Sequence, residues 1–169
     1  MTVAEGGQPM RILGIDPGSR FTGWGLVEQA RNKPTYLASG TIRLKADAPL
    51  AERLVALARE LEALLIAHAP DTCAVEQIFA ARNVRSALVL GHARGVILQI
   101  VSSRGIPVLE YTPTQVKQAV TGAGRADKTQ VQKMVSLLLS RRESLQEDEA
   151  DALAVALTHA ALSRIRLHP

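Results

Sequence analysis

The sequence has one cysteine, few aromatic residues and no long uninterrupted apolar run. Cys73 has no second cysteine with which to form an intrachain disulfide or a thiolate metal cage. Aromatic residues make up 3% of the chain, which argues against a broad stacking platform for single-stranded bases. No run of about 18 apolar residues predicts a membrane span. Residues 1–9 lack the basic start and apolar middle of a signal peptide. We therefore expect a cytoplasmic protein that does not enter a membrane.

The apolar content is sufficient for one folded domain. The chain has 169 residues, of which 47% are hydrophobic, and single domains usually have about 100–200 residues. The sequence shows no internal repeat, low-complexity tract or interdomain linker. We predict a polar N-terminal tail over residues 1–10 and a single domain over residues 11–166.

The order of the apolar segments predicts an α/β fold with a mixed sheet. Three strands at the start should form an antiparallel meander, and the later strands alternate with helices, as in layered α/β domains. The predicted strands are 11–16, 21–28, 35–44, 72–76 and 106–111. The predicted helices are 49–68, 83–103, 113–120, 128–140 and one that starts near residue 148.

Two groups of small residues predict close packing. Gly23 and Gly25 occupy alternate positions in the second strand, so another element should approach one face of that strand closely. The helix at 83–103 is apolar on nearly every side, and Ala87, Gly91 and Gly95 recur in it every four residues. A helix that is apolar all round must be covered all round. Its cover is either a second copy of the chain in a homodimer or the interior of the domain, and the sequence favours neither.

Four carboxylates stand at the ends of predicted elements. Asp16 ends the first strand and Glu76 ends the fourth, while Asp148 and Asp151 lie on one face at the start of the last helix. Taken singly, they are as typical of a turn, a solvated strand end and the negatively charged first turn of a helix. Gathered at one site, they would repel one another unless cations lay among them. Such hard oxygen ligands suit Mg²⁺ or Mn²⁺.

Positive charge is concentrated in one segment. The chain has a net charge of +4, whereas residues 111–142 carry six basic residues and one acidic residue. The basic residues are Lys117, Arg125, Lys128, Lys133, Arg141 and Arg142, and the acidic one is Asp127. Such a segment is either an ordinary solvated face or a surface for phosphate groups. Carboxylates for metal ions beside cations for phosphates are the combination that a metal-dependent nuclease needs.

Four blocks of the sequence resemble, in order and spacing, those of the RuvC Holliday-junction resolvases. They are RILGIDPGSRFTGWG, VEQIFAARN, YTPTQVKQAVTGAGRADKTQVQKMV and DEADALAVALTHA. The resemblance covers nearly all of the chain after Gln8. It implies a ribonuclease H-like fold with a mixed five-stranded sheet flanked by helices, so residues 11–166 would form one ribonuclease H-like nuclease domain.

The resemblance also implies functions for individual residues. The four carboxylates would bind metal ions, two per active site, and Phe79 would contact the junction near its exchange point. The implied catalytic residues are Asp16, Glu76, Asp148, Asp151, Lys117 and Lys128. The candidate DNA-binding residues are Phe79, Arg82, Arg85, Lys117, Arg125, Lys128 and Lys133, of which the arginines and Lys133 are equally typical of an ordinary surface. Glu149 occupies a usually small position in the last block, where it is a decoy for mutagenesis.

The implied activity is metal-dependent cleavage of four-way DNA junctions by paired symmetric nicks, in recombination and DNA repair. The implied cofactor is Mg²⁺ or Mn²⁺. The implied partners are junction DNA, a second copy of the chain and the branch-migration proteins RuvA and RuvB. Two alternatives stay open: an RNA-processing nuclease of YqgF type and a catalytically inactive junction-binding module. An actin-like ATPase, which GIDPGS also resembles, would need two domains and a second glycine-rich phosphate loop.

Overall fold

The structure is a computed structural model that describes residues 8–30, 33–77 and 83–165, with side chains up to residue 163. These residues form five strands and five helices. The strands are β1 (Met10–Asp16), β2 (Phe21–Ala30), β3 (Lys33–Arg43), β4 (Thr72–Glu76) and β5 (Val108–Tyr111). The helices are α1 (Leu50–His68), α2 (Val84–Ser103), α3 (Pro113–Thr121), α4 (Lys128–Leu138) and α5 (Glu147–Ile165).

The five strands form one mixed sheet in the order β3-β2-β1-β4-β5. β2 pairs antiparallel with both β1 and β3, which forms the predicted meander. β4 pairs parallel with β1 and with β5. The mixed sheet and its flanking helices confirm the predicted α/β architecture. Because β1 and β4 run in the same direction, their carboxyl ends, Asp16 and Glu76, lie at one edge of the sheet.

Four predicted element boundaries were wrong by two residues. β2 ends at Ala30 rather than at residue 28, and β3 begins at Lys33 rather than at residue 35, because the β2–β3 ladder extends to the pair Ala30 and Lys33. β5 begins at Val108 rather than at residue 106, because Pro107 has no N–H to donate to a strand ladder. The Pro107 carbonyl instead accepts hydrogen bonds from the Cys73 N–H (2.9 Å) and the Thr72 hydroxyl (3.3 Å). α4 ends at Leu138 rather than at residue 140, where the backbone turns into the left-handed region with a φ of 53°.

Each face of the sheet is covered by its own apolar core. Successive residues of a strand point to opposite faces, so Ile12 belongs to one core and Leu13 to the other. α3, α4 and α5 pack on the Ile12 face, where Leu153 of α5 is fully buried. α1 and α2 pack on the Leu13 face through Leu57 and Ile97. With both faces covered, the polar chemistry is confined to the edge where β1 and β4 end.

The element that approaches β2 closely is α5. A side-chain carbon added at Gly23 would lie 2.0 Å from the Asp148 carbonyl oxygen, and one at Gly25 would lie 2.5 Å from the Leu153 side chain. Gly14 of β1 also lies against α5, since a carbon there would lie 2.0 Å from a backbone oxygen of that helix. We call these three glycines the glycine floor. Each of these distances is impossible for real carbon atoms. The glycines therefore let the start of α5, with its carboxylates, lie directly on the sheet.

α2 exposes much of its apolar surface. Val84 is 76% exposed and Leu88 is 59% exposed, and a carbon added at Gly91 or Gly95 would have no neighbour within 4 Å. By length and composition alone, α2 would be able to cross a membrane, with a mean hydropathy of 1.3 over 18 residues. On its inner side, however, Arg94 forms a 2.8 Å ion pair with β5, so the helix is packed against the sheet. The apolar face that still needs a cover is the outer one.

Candidate active site

Two strand ends bring the first two carboxylates side by side. β1 and β4 are parallel neighbours in which Ile15 lies opposite Val75. The next residues of the two strands are Asp16 and Glu76, and neighbouring strands lie about 4.8 Å apart. Both carboxylates are half-buried. The end of the sheet therefore presents a pair of acidic side chains.

The start of α5 adds the other two carboxylates. Gly23 lies opposite Asp16 in the β1–β2 ladder, and the Asp148 backbone lies directly on Gly23. The first turn of α5 is therefore held over the end of β1. Asp151 follows one turn later on the same face of the helix. Asp148, Asp151 and Glu76 all act electrostatically on Asp16, so the structure brings the four predicted carboxylates into one cluster.

The carboxylates of this cluster repel one another. Burial and then the negative charges of Asp151, Glu76 and Asp148 raise the pKa of Asp16 to about 7. Burial also raises the pKa of Glu76 and of Asp151, and the charge of Asp151 adds to the shift of Glu76. Three of the four acids thus hold their protons more tightly than in water. Bound cations would stabilise the charged form of these carboxylates, so the raised pKa values are expected of a cation site without its cations.

Lys128 lies within the carboxylate cluster. Its ammonium forms a 3.0 Å ion pair with Asp151 and donates a hydrogen bond to Glu147, an acid that sequence reasoning did not assign to the site. Burial lowers the pKa of Lys128, but the two carboxylates outweigh it and raise that pKa above the ordinary lysine value. Together with Lys117, it lines a cleft of about 220 Å³ beside Glu76 and Asp151. Both predicted lysines therefore lie next to the acids.

Glu149 turns away from the cluster. Its carboxylate accepts a 2.9 Å hydrogen bond from the Ser39 hydroxyl. Ser39 lies on β3, the edge strand on the far side of β2 from the cluster. The Ser39 hydroxyl is in turn 3.1 Å from that of Tyr36. The additional acid of the last block thus ties α5 to the sheet edge and does not join the four carboxylates.

The other predicted DNA-binding residues are spread over the surface. Arg125 is exposed in the loop before α4, and Lys133 is exposed on that helix. Arg85 is exposed in the first turn of α2. Phe79 and Arg82 lie outside the described residues. Their predicted phosphate and junction contacts stay predictions.

Arg141 shows that the basic segment offers fewer free cations than its composition suggests. Its guanidinium carbon lies 4.2 Å from the centre of the Tyr36 ring, and its Nη2 forms a 3.0 Å ion pair with Glu143. This arginine therefore holds the turn after α4 against β3. Part of the charge in residues 111–142 belongs to the fold and not to a phosphate surface.

Arg94 is a site residue that sequence reasoning missed. From α2, its Nη1 donates a 2.6 Å hydrogen bond to the Glu76 carbonyl oxygen, and its Nη2 pairs with Glu110 on β5 at 2.8 Å. The Arg94 side chain is 16% exposed, so these charge-assisted contacts are shielded from water and strengthened. Arg94 therefore fixes the end of β4 that carries the Glu76 carboxylate. The signal in the sequence was a single arginine in the middle of an apolar helix, which needs a buried partner.

The donor chemistry of the cluster fits hard divalent cations. Carboxylate oxygens are the ligands that Mg²⁺ and Mn²⁺ prefer, and the described lining of the cleft contains neither cysteine nor histidine. In the part of the chain that the structure describes, no three such side chains converge closely enough to hold an ion in their present rotamers. The Lys128 ammonium takes up one oxygen of Asp151. A divalent ion bound here would replace that ammonium as the counter-charge of Asp151.

Comparison with known proteins establishes the family. The family model described as "Crossover junction endodeoxyribonuclease RuvC" matches residues 12–159, a span that includes all four carboxylates. The chain belongs to the RuvC family. Members of the RuvC family are divalent-metal-dependent nucleases, which agrees with the donor chemistry of the cluster.

RuvC relatives align with most of this chain. RuvC of Syntrophotalea carbinolica is 52% identical over 151 residues, which cover 89% of this chain and 94% of that protein. RuvC of Halorhodospira halophila is 54% identical over 151 residues, 89% of either chain. The solved structure of Thermus thermophilus RuvC in complex with a Holliday junction substrate matches with a TM-score of 0.87 at 35% identity, covering 93% of this chain and 96% of that one. This match confirms the predicted ribonuclease H-like fold.

Proposed function

We propose that this RuvC family member is a structure-selective endonuclease that resolves four-way DNA junctions by paired symmetric nicks in recombination and DNA repair. The observation that carries the proposal is the cluster of four carboxylates at the sheet edge, with Lys117 and Lys128 beside it. Cations would offset the mutual repulsion of these acids, and the adjacent ammonium groups would attract an anion. A phosphodiester with its metal ions satisfies both. The T. thermophilus relative of the same fold was solved with a Holliday junction substrate.

Asp16, Glu76, Asp148 and Asp151 are the residues that would hold the ions. Two Mg²⁺ or Mn²⁺ ions would activate the attacking water and neutralise the charge that develops on the phosphate and the leaving oxygen. β1, β4 and α5 hold the four carboxylates in place, because all three elements are anchored in the cores. Because the pKa values of three of these acids are raised in the absence of cations, loading the site should release protons.

Lys117 and Lys128 would contact the phosphate that is cleaved. Both lysines line the cleft that also contains Glu76 and Asp151. A positive charge at that position offsets the negative charge that the phosphate gains in the transition state. Glu147 would position Lys128, because its carboxylate accepts a hydrogen bond from the ammonium and is not itself part of the cleft lining. Phe79, Arg82, Arg85, Arg125 and Lys133 are the further proposed DNA contacts.

The outer face of α2 supports a homodimer. Leu88, Gly91 and Gly95 line an open groove of about 550 Å³ together with Leu54 of α1. The two glycines leave room for the backbone of another helix. A second copy that packs its own α2 across this groove would bury the apolar faces of both chains at once, as a two-fold axis requires. Two active sites related by that axis would nick two opposed strands of one junction.

Two alternative functions share this site. An RNA-processing nuclease of YqgF type would use the same cluster, and a binding module would retain the fold without cleaving. The gathering of all four acids favours a nuclease, and the family match favours junction DNA over RNA. RuvA and RuvB as partners, and the cytoplasm as the location, follow from the family and are part of the proposal.

A cleavage assay on an immobile four-way junction with varied central sequences tests the proposal. It compares Mg²⁺, Mn²⁺ and a chelator, beside a linear duplex of matched sequence and an RNA–DNA hybrid, with Asp16→Asn as the control. We expect metal-dependent paired nicks on the junction alone, lost in Asp16→Asn while junction binding survives. Cleavage of the hybrid instead would favour RNA processing. Tight junction binding without cleavage in either metal would favour the binding module.

A further inference from the structure

A second basic surface lies on the opposite side of the carboxylate cluster from β5 and α3, the helix that carries Lys117. It consists of Arg20, Phe21 and Arg43, and we name it the Arg–Phe surface. Phe21 begins β2, and Arg43 ends β3 directly opposite it in the ladder. Both guanidinium groups lie against the Phe21 ring, with carbon-to-centre distances of 5.8 Å for Arg20 and 5.6 Å for Arg43.

The strand registers place the Arg–Phe surface close to Asp16. Gly23 lies opposite Asp16, and Phe21 lies two residues further along β2 toward the edge of the sheet. At about 3.4 Å per residue, this is a displacement of about 7 Å. Phe21 shares a face of the sheet with Gly23, the face on which α5 packs. Arg43 donates a 3.0 Å hydrogen bond to the side-chain oxygen of Gln146, the residue before α5.

The two guanidinium groups carry charge that the fold does not neutralise. Arg20 and Arg43 are both exposed, and none of the ion pairs within the described residues includes either of them. Phe21 is 42% exposed, and its ring face holds both cations in place through cation–π contact. Guanidinium groups that are already oriented lose less entropy when they bind. Their planar forks match phosphate oxygens.

We propose that the Arg–Phe surface binds the sugar–phosphate backbone of the cleaved strand, about two nucleotides from the scissile phosphate. The spacing follows from the 7 Å displacement, taken along the duplex axis, and from one phosphate of each strand per roughly 3.4 Å of that axis. This inference rests on the proposed function and extends it. In the sheet order, β5 with α3 lies on one side of the carboxylates, and β2 with β3 lies on the other. A nucleic-acid strand that crosses the carboxylates thus meets cations on both sides of the cleaved bond.

The salt dependence of junction binding measures these contacts. In the non-cleaving Asp16→Asn protein, we compare the pair Arg20→Gln/Arg43→Gln with the control pair Arg59→Gln/Arg104→Gln. The control pair removes two exposed arginines from α1 and from the end of α2, so the change in net charge is the same. We expect the slope of log affinity against log salt to fall in magnitude by about 2 for the first pair and to be unchanged for the control pair. Equal changes in both pairs, or no change in the first, would overturn the inference.

Single methylphosphonate substitutions locate the contacts along the strand. Each substitution neutralises one phosphate within five nucleotides of the cleaved bond. We expect one or two of these methylphosphonates, about two nucleotides from that bond, to weaken binding by the protein that retains Arg20 and Arg43. The same methylphosphonates should have no further effect on binding by Arg20→Gln/Arg43→Gln. Additive effects at every phosphate would contradict direct contact. Phe21→Leu should keep the slope and weaken binding about two- to fivefold, because it removes the cation–π support.

Failure of the inference can be told apart from failure of the proposed function. The wild type is first assayed for cleavage of junction, duplex and hybrid, and the binding series then uses whichever nucleic acid is cut. Cleavage of the hybrid alone would reject junction resolution and still test the Arg–Phe surface. Junction cleavage with an unaltered salt slope in Arg20→Gln/Arg43→Gln would reject the surface and keep the resolvase. Circular dichroism melts of each variant exclude misfolding as the cause.

Discussion

The carboxylate edge of the sheet and the outer face of α2 are both incomplete, but in opposite ways. At the edge, three acids gather around Asp16, whose pKa is raised to about 7 by burial and by these acidic neighbours. On α2, Leu88 is exposed next to Gly91, which has open space above it. The first surface has too little positive charge to balance its carboxylates, and the second lacks an apolar cover. We infer that cations complete the one and a second copy of the chain completes the other.

The difference shows how the two complements can be separated by experiment. Binding at the carboxylate edge depends on charge, so it should respond to pH, metal ions and salt. Association through α2 depends on apolar area, so it should respond to protein concentration and side-chain size. A variant that alters one surface should therefore leave the other surface intact. The predictions below use this independence.

Asp16→Asn should have the largest effect. A metal ion contributes several kcal/mol of charge stabilisation in the transition state, and each 1.36 kcal/mol is tenfold in rate. We expect junction cleavage to fall by about a thousandfold or more, with dimer formation unchanged. Single-turnover cleavage rates measure this. The matched control is Glu149→Gln, which should stay within a few-fold of wild type, because Glu149 binds Ser39 and not the cluster. A Glu149→Gln loss as large as that of Asp16→Asn would refute the assignment of the cluster.

Leu88→Glu should have the next largest effect, on the other surface. Burying a leucine contributes about 1.5–3 kcal/mol to association. Because a two-fold symmetric interface contains Leu88 twice, the substitution removes this contribution twice and places two like charges in an apolar interface. We expect the dimer dissociation constant to rise by about a hundredfold or more, measured by sedimentation equilibrium. The monomer should unfold at nearly the same temperature, because Leu88 is 59% exposed within one chain. An unchanged dissociation constant would mean that α2 is not the interface.

Alanine at two glycines contrasts the surfaces directly. Gly23→Ala places a carbon 2.0 Å from the Asp148 carbonyl oxygen, so the start of α5 must move. We expect a loss of about 1–3 kcal/mol in the free energy of unfolding, together with reduced cleavage. Gly91→Ala meets nothing within 4 Å. In the monomeric Leu88→Glu background it should stabilise the chain by about 1 kcal/mol through helix propensity. Urea titrations measure the change in the free energy of unfolding for both variants. An unchanged free energy of unfolding in Gly23→Ala would show that the position of α5 does not depend on the glycine floor.

Arg94→Met should reduce cleavage about tenfold while junction affinity is kept. It removes the donor to the Glu76 carbonyl oxygen, and a hydrogen bond from a charged donor is worth about 1.5–3 kcal/mol. Glu110→Gln is the control, because it removes the charge of the ion-pair partner and leaves the Arg94–Glu76 hydrogen bond in place. We expect kcat to fall in Arg94→Met and to change less than about twofold in Glu110→Gln. Equal losses in the two variants would assign the effect to the ion pair.

The smallest predicted effect is a pH-dependent difference in melting temperature between the metal-free wild type and Asp16→Asn. The pKa of Asp16 is about 7 in the folded protein, against 3.8 for an aspartate in water, so the folded state binds the proton more tightly. Stability contributed by this proton is fully present below the unfolded pKa, falls as the pH rises from there to about 7, and is lost above the folded pKa. We expect the wild type to melt below Asp16→Asn at pH 8, by about 2–4 °C for each kcal/mol of repulsion, and the difference to narrow steadily as the pH falls from 7 toward the unfolded pKa of Asp16. A difference that widens toward pH 5 would contradict the sign of the shift.

The carboxylate cluster could be predicted because its members stand at element ends that the sequence marks clearly. Asp16 and Glu76 each end a short strand, and Gly23 and Gly25 predicted the close approach of another element, which the structure shows to be α5. The contacts that were missed join residues far apart in the chain. Glu149 binds a side chain 110 residues away, and Arg94 binds a carbonyl 18 residues away. No local pattern encodes such pairs, since they depend on where the folded helices lie.

The outer face of α2 could be predicted only in part. The recurrence of Ala87, Gly91 and Gly95 indicated a strip for close packing, but an internal helix and an interfacial helix have the same composition. The two differ in exposure, which the fold determines. α1 covers the inner face of α2 through residues such as Ile97, and the strip is left open. The sequence likewise gives no sign that three strand-end residues form one surface, since only the β2–β3 register brings together Arg20, Phe21 and Arg43.

Cleavage of a supercoiled plasmid that extrudes a cruciform tests the two-surface account most directly. Paired nicks across the four-way junction convert the plasmid to the linear form, whereas a single nick gives an open circle. The account predicts linear product from the wild type, open circles from Leu88→Glu and uncut supercoils from Asp16→Asn, all in Mg²⁺. Linear product from a Leu88→Glu protein that is monomeric under the assay conditions would contradict the pairing of two active sites through α2. Cleavage by Asp16→Asn at the wild-type rate would contradict the role of the carboxylate cluster.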